Sequence, residues 1–110
     1  MTQAILVVED EAVLGKNVKR FLEQFEYDVR LATDGEKALA EFDDFKPDLV
    51  LLDYNLPGHL NGLDLLERFK ALDSQVKIVL MTAHGSVQVA VDAMKAGAYD
   101  YLSKPVVLGE

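Results

Sequence analysis

The sequence predicts an α/β protein in which helices cover both faces of a parallel β-sheet. Three unbroken apolar runs, AILVV at 4–8, LVLL at 49–52 and IVLM at 78–81, are typical of strands that are buried on both faces. Segments with apolar residues at helical spacing lie between these runs, so strands and helices alternate along the chain. With right-handed connections, this alternation favours a doubly wound sheet.

Two further segments predict the edges of that sheet. Residues 27–32 alternate between apolar and polar side chains, and residues 99–102 (YDYL) are short and mixed in character. If the second and fifth strands lie at the edges, the five-stranded sheet has the flavodoxin-like order 2-1-3-4-5. The three apolar strands are then the interior ones, as their composition requires.

Four helices are expected between the strands. Residues 33–36 (TDGE) predict a helix N-cap with a capping box, Asn61-Gly62 and Gly85-Ser86 precede helices, and Gly97 suits a helix C-terminus. The predicted apolar stripes of the four helices are formed by Leu14, Val18, Phe21, Leu22 and Phe25; by Ala38, Leu39, Phe42 and Phe45; by Leu65, Leu66, Phe69 and Leu72; and by Val87, Val91 and Met94.

Composition restricts the class of protein. A length of 110 residues, half of them hydrophobic, suits one domain with a substantial core. The net charge of -8 argues against direct nucleic-acid contact, and the absence of cysteine excludes disulfides and thiolate metal sites. No apolar run approaches the roughly 20 residues of a membrane span, and the N-terminus lacks a signal peptide pattern. We therefore expect a soluble cytoplasmic domain.

Charged and hydroxyl side chains follow the strands at the edge where open α/β sheets bind ligands. A single aspartate after a strand is usually a turn residue or a helix cap, so the combination of several is what predicts a site. Three adjacent acids repel one another unless a cation is bound near them. The side chains are Glu9, Asp10 and Glu11 after strand 1, Asp53 after strand 3, Thr82 after strand 4 and Lys104 after strand 5.

These residue types suit phosphoryl chemistry that depends on Mg²⁺. Carboxylates without cysteine or histidine are the hard oxygen ligands that Mg²⁺ prefers. A metal would allow a phosphate to approach the acids, while Lys104 and Thr82 would supply a charge and a donor to its oxygens. An aspartate beside a metal and a lysine, such as Asp53, stays ionised and can attack phosphorus.

Together the motifs resemble the receiver domain of two-component response regulators over nearly all of residues 1–110. The residues that carry the resemblance, in the order and spacing of the family, are Glu9-Asp10, Asp53 in LLDYNLPG, Thr82-Ala83, Tyr101 and Lys104-Pro105. The stretch from Thr82 to Pro105 is most similar to receivers of the nitrogen-regulation type, which control AAA+ transcriptional activators.

The resemblance implies a role for each matched residue. Asp53 would accept a phosphoryl group from the phosphohistidine of a sensor histidine kinase or phosphotransfer protein, and Lys104 would pair with that group. Thr82 and Tyr101 would act as the switch that reshapes the surface of helix 4 and strand 5. The Lys104-Pro105 bond would be cis. The implied Mg²⁺ ligands are Asp10, Asp53 and the backbone carbonyl of Asn55, with Glu9 acting through water.

The resemblance also implies a signalling domain that controls an output domain, with transcription as the regulated process. Such a domain is not a substrate-turnover enzyme, although it assists its own phosphorylation and dephosphorylation. His84 and Asn55 flank the site and would tune the lifetime of the phosphoryl group, whereas His59 is expected to be a solvated surface residue. Helix 4 carries a second apolar face, which reflects either the helix preference of alanine or docking of a partner or second receiver as a homodimer: Val89, Ala93 and Ala96.

Three features depart from the family pattern. Glu9 replaces the more usual aspartate, the loop 57–62 is one residue longer than is common, and the chain ends at PVVLGE where a fifth helix would begin. We therefore expect a truncated piece of a longer regulator, with lower stability or self-association through the uncovered face.

Three other functions are weaker matches to the same residues. A phosphatase of the haloacid-dehalogenase type would place its nucleophile in a D-x-D pattern after strand 1, where this chain has Glu9, Asp10 and Glu11. A flavin or nucleotide site would need a loop rich in Ser, Thr and Gly there. A degenerate receiver that serves only as a scaffold is disfavoured by four intact residues, Asp10, Asp53, Thr82 and Lys104.

Overall fold

The computed structural model describes residues 3–58, 60–82 and 87–103. Strands and helices alternate through these residues, as the sequence predicts. The elements in chain order are β1 (Ala4–Val8), α1 (Ala12–Glu23), β2 (Asp28–Ala32), α2 (Gly35–Phe45), β3 (Leu49–Asp53), α3 (Gly62–Leu72), β4 (Lys77–Thr82), α4 (Val87–Lys95) and β5 (Asp100–Ser103).

The five strands form one parallel sheet in the order β2-β1-β3-β4-β5. The predicted flavodoxin-like order is therefore confirmed, with β2 and β5 at the edges. In the register, Val8 lies beside Leu52, and Asp53 lies beside Met81. The carboxyl ends of the three interior strands consequently meet at one edge of the sheet.

Side chains of β1 alternate between two hydrophobic cores, one on each face of the sheet. Ile5 and Val7 pack with α1 through Val18, whereas Leu6 and Val8 pack with the helices on the other face. That second core contains Phe42 of α2 and Phe69 of α3, whose rings stack with centroids 4.5 Å apart, and Ala93 of α4. Because both faces are covered, an uninterrupted apolar strand is stable at this position.

Local side-chain chemistry sets the ends of the helices. Asp34 caps α2 by accepting a hydrogen bond from the Lys37 amide at 2.8 Å. The capping box predicted for residues 33–36 does not form, because the cap is one residue later than Thr33 and places a lysine at the third helical position. A capping box does form at the start of α3, between Asn61 and Asp64. Gly97 follows α4 with φ +104°, which confirms its predicted role.

The packing of α4 corrects the sequence prediction. Val87 and Met94, which belong to the predicted inward stripe, are 82% and 51% exposed, whereas Ala93 is completely buried. Val89 and Ala96 pack against the same core as Ala93. The helix therefore lies on the sheet through its smaller side chains and turns the larger apolar ones outward.

Two other predicted core residues are also exposed. Phe25 lies beyond Glu23, the last residue of α1, and Leu72 is the last residue of α3. A side chain at a helix end extends past the sheet, so it keeps the helical spacing of the stripe without reaching the core.

Several predictions concern residues outside the described ranges, namely His59, Ala83 to Ser86, Lys104, the cis bond before Pro105 and the missing fifth helix. They remain predictions. Among the described residues, no helix is both long enough and apolar enough to cross a membrane.

Candidate functional site

The carboxyl ends of β1, β3 and β4 deliver three polar side chains into the protein interior. Glu9, Asp53 and Thr82 are 1%, 2% and 1% exposed, and they are the buried polar or charged side chains within the described ranges. Glu9 follows β1 directly, Asp53 ends β3 and Thr82 ends β4. Burying two carboxylates and a hydroxyl at one sheet edge costs free energy. A purely structural role would not require that cost.

Asp10 joins the two buried acids to form a carboxylate cluster. Glu9, Asp10 and Asp53 each offer an oxygen, and these three oxygens lie within 4.8 Å of one another. Glu9 and Asp53 are buried, whereas Asp10 is exposed, so the cluster opens to solvent on one side. Three negative charges at this spacing repel one another, and a cation placed among them would remove that repulsion.

Backbone hydrogen bonds hold the acids in place. The Glu9 amide donates to Ala32 O at 3.0 Å, which continues the β1–β2 pairing beyond the last residue of β1. The Glu11 amide donates to Glu9 Oε1 at 3.2 Å. The Asn55 amide donates to Asp53 Oδ1, also at 3.2 Å. One oxygen of each buried carboxylate is therefore oriented by an amide two residues further along the chain.

The donor set fits Mg²⁺. All three side chains are carboxylates, which are hard oxygen ligands, and the exposed side of the cluster leaves room for the waters that Mg²⁺ retains. The Asn55 carbonyl belongs to the same turn that places the Asn55 amide on Asp53. Proteins commonly bind Mg²⁺ through one or two carboxylates together with several waters, and this cluster offers such carboxylates.

Of the predicted site residues, the structure brings Glu9, Asp10 and Asp53 together and places Thr82 on the neighbouring strand. Tyr101 lies on the edge strand β5, beside Leu80, with its side chain partly buried. Lys104 lies outside the described ranges. Gly62, which was not among the predicted site residues, packs against the backbone of Asp53 and Tyr54. The available signal was a glycine at the first position of α3, directly after the loop that follows Asp53.

A comparison with protein-family models matches residues 5–110 to the response regulator receiver domain. The chain belongs to this family. Receiver domains are the signalling domains of two-component response regulators, and the predicted fold and signalling function agree with that membership.

Relatives with known names support the same assignment. The nitrogen assimilation regulatory protein NtrX of Azorhizobium caulinodans is 41% identical over 106 residues, which are 96% of this chain and 23% of that protein. The regulatory protein LuxO of Vibrio cholerae is 39% identical over 99 residues, 90% of this chain and 22% of LuxO. The similarity to NtrX confirms the predicted resemblance to the nitrogen-regulation type. The chain spans less than a quarter of the length of either relative.

A solved structure confirms the fold independently. The CheY-like receiver domain protein of Methanospirillum hungatei JF-1 superimposes with a TM-score of 0.92 at 31% identity. The match covers 97% of this chain and 85% of that one.

Proposed function

We propose that residues 1–110 form the phosphoacceptor domain of a response regulator and that Asp53 receives the phosphoryl group. The observation that carries this proposal is the burial of Asp53 between Glu9 and Thr82, on neighbouring strands at the ligand-binding edge of the sheet. The donor is a phosphohistidine on a sensor histidine kinase or on a phosphotransfer protein.

In the transfer, a carboxylate oxygen of Asp53 forms a bond to phosphorus as the P–N bond to the donor imidazole breaks. The imidazole leaves with the electron pair of that bond. The Asn55 amide holds Asp53 Oδ1, which fixes the orientation of the carboxylate for in-line attack. The Thr82 hydroxyl donates a hydrogen bond to a phosphoryl oxygen after transfer, and Lys104 neutralises the charge of a second phosphoryl oxygen.

Asp10, Asp53 and the backbone carbonyl of Asn55 would bind Mg²⁺, with Glu9 acting through a water molecule. Bound there, the ion supplies positive charge that offsets the repulsion between the carboxylates and the incoming phosphoryl oxygens. The protein contributes the buried acids and the fixed loop that hold this arrangement. Turnover of a separate substrate is not part of the proposal, since the phosphoryl group stays on Asp53 until water removes it.

The output of the proposed switch is the surface of α4 and β5. Thr82 is buried at the end of β4, where it pairs in register with Ser103 of β5, and Tyr101 lies on β5 itself. A change at Thr82 would alter how Tyr101 packs. Large apolar side chains are exposed there, which suits docking of an output domain, a partner or a second receiver: Val87, Val91, Met94, Tyr99 and Leu102. The proposed compartment is the cytoplasm. The proposed process is transcription, which the domain would regulate by controlling an AAA+ activator.

Intact mass after incubation with acetyl phosphate tests the acceptor role. We expect one phosphoryl adduct that requires Mg²⁺ and that is absent from Asp53→Asn. Asp43→Asn, the same change at an exposed position of α2, is the matched control and should be phosphorylated normally. An adduct that persists in Asp53→Asn, or wild-type protein that forms none with Mg²⁺ present, would contradict the proposal.

A further inference from the structure

Gly62, the first residue of α3, lies against the backbone that carries the proposed acceptor. A Cβ at this position would lie 2.5 Å from Tyr54 Cα and 2.7 Å from Asp53 O. Both are backbone atoms of the segment that leaves β3, so they cannot move aside as the tip of a flexible side chain would. The φ angle of Gly62 is outside the left-handed region, so the close approach, and not the backbone conformation, is what requires glycine here.

One peptide group links Gly62 to the acceptor carboxylate. The Gly62 amide donates to Tyr54 O at 3.0 Å, and that carbonyl belongs to the Tyr54–Asn55 peptide. The amide at the other end of this peptide, on Asn55, donates to Asp53 Oδ1. The same peptide plane therefore makes two hydrogen bonds: its amide orients the Asp53 carboxylate, and its carbonyl accepts from the first amide of α3.

The segment is also fixed from the side of the sheet, because the Tyr54 amide donates to Met81 O at 2.7 Å. The start of α3 is itself rigidly placed. Asn61 and Asp64 form a capping box, and Leu65 and Leu66 are completely buried in the core. A displaced Tyr54–Asn55 peptide therefore cannot be accommodated by a small shift of the helix.

We propose that Gly62 is a positioning residue for phosphoryl transfer and Mg²⁺ binding at Asp53. It touches neither the phosphoryl group nor the metal. It acts through the Tyr54–Asn55 peptide, which orients the Asp53 carboxylate and fixes the point from which the chain continues to the Asn55 carbonyl. This inference rests on the proposed function and adds to it the element that holds the acceptor in register with the metal.

The test compares Gly62→Ala with Gly97→Ala, which also adds one methyl group. Gly97 has φ +104°, and the nearest atoms to an added Cβ belong to the side chain of Lys70, which lies in the last turn of α3, at the opposite end of the helix from Gly62. Alanine at position 97 therefore destabilises the protein through its backbone conformation, without contacting the loop that follows Asp53. This variant measures what a loss of stability alone does to the site.

Two readouts are needed, and one of them does not depend on activity. The first is Mg²⁺ affinity of the unphosphorylated protein, followed by NMR shifts of the Asn55 and Gly62 amides. The second is the rate of phosphorylation by acetyl phosphate across a series of Mg²⁺ concentrations. For Gly62→Ala we expect Mg²⁺ affinity and the phosphorylation rate each to fall by about tenfold or more, the range seen when supporting groups of a metal or catalytic site are displaced.

Gly97→Ala should keep both values within about twofold of the wild type. A folded Gly62→Ala protein whose Mg²⁺ affinity and rate both stay within that range would overturn the proposal, as would an equal loss in Gly97→Ala. If wild-type protein binds Mg²⁺ but forms no adduct, the proposed acceptor function fails, and the Mg²⁺ affinities of the two variants still decide the role of Gly62.

If Gly62→Ala does not fold, Asn61→Ala decides the matter. It removes the side chain that caps the start of α3 and leaves Gly62 in place. We expect weaker Mg²⁺ binding and faster hydrogen exchange of the Gly62 amide, whereas Asn61→Asp, which keeps a capping oxygen, should retain both. Unchanged Mg²⁺ affinity in Asn61→Ala, with the Gly62 amide exchanging faster, would refute the proposal.

Discussion

Replacing Asp10 with asparagine is expected to stabilise the protein in the absence of Mg²⁺, although the variant loses a charge at the proposed metal site. The Asp10 carboxylate lies within 4.8 Å of the carboxylates of Glu9 and Asp53. Coulomb's law gives about 1 kcal/mol of repulsion for each such pair at the dielectric of water and about 3.5 kcal/mol at an effective dielectric of 20.

The lower figure applies best, because Asp10 is exposed and solvent screens its charge. Two pairs then give about 2 kcal/mol of relieved repulsion. The substitution also removes a negative charge just before α1, where the helix N-terminus favours it by roughly 0.3–1 kcal/mol. The expected net gain is therefore about 1 kcal/mol, which raises the urea midpoint by about 0.5 M.

Urea denaturation followed by circular dichroism, with EDTA and then with Mg²⁺, measures both parts of the effect. Mg²⁺ at about ten times its Kd should stabilise the wild type by about 1.4 kcal/mol and Asp10→Asn much less. Asp43→Asn, an exposed acid on α2 outside the cluster, should change stability by no more than about 0.5 kcal/mol. A lower midpoint for Asp10→Asn in EDTA would show that repulsion within the cluster is not what destabilises the metal-free protein.

Three further pairs of substitutions test the packing of the core, the cap of α2 and the orientation of α4. Phe69→Ala removes a completely buried ring that stacks on a second phenylalanine and should cost about 3–5 kcal/mol in urea denaturation, whereas Phe25→Ala, at an exposed position, should cost less than about 1 kcal/mol. Equal losses would contradict the assignment of the core. Asp34→Ala removes the cap of α2 and should lower stability by about 1 kcal/mol in a thermal melt, with Asp34→Asn retaining most of it. Met94→Asp, at an exposed position, should leave the protein folded. Ala93→Asp, at the preceding and completely buried position, should unfold it. A folded Ala93→Asp would show that α4 is turned the other way.

The interior strands could be predicted from the sequence because burial on both faces leaves an unmistakable pattern. The run AILVV corresponds to β1 residue for residue. The strand order could be predicted because unbroken apolar runs indicate interior strands and mixed runs indicate edge strands. The acids at the strand ends were predicted for the same reason, since the carboxyl ends of parallel strands share one edge. Their mutual distance within 4.8 Å then follows from the register.

Features that depend on how closely two elements approach were not predictable in this way. Both faces of α4 are apolar, and only the spacing between helix and sheet decides that Ala93 packs inward and Met94 outward. Thr33 and Asp34 can each cap a helix, and the backbone entering α2 decides between them. The close approach of Gly62 cannot be predicted without the fold, because the atoms it contacts are backbone atoms eight and nine residues earlier in the chain.

The position of β1 in the sheet has a consequence for the folding kinetics. Ala4 pairs with Asp28, and Ile5 pairs with Leu49, so this strand is completed on both sides only by segments that follow it in the chain. The entropy of loop closure must be lost before either pairing contributes stabilising free energy. The parallel sheet is therefore slow to form. A nascent chain that emerges at about 5–20 residues per second therefore carries an unpaired, wholly apolar strand for several seconds. Destabilising β3 should accordingly lengthen this aggregation-prone interval, a defect that would appear as low yield and not as altered signalling.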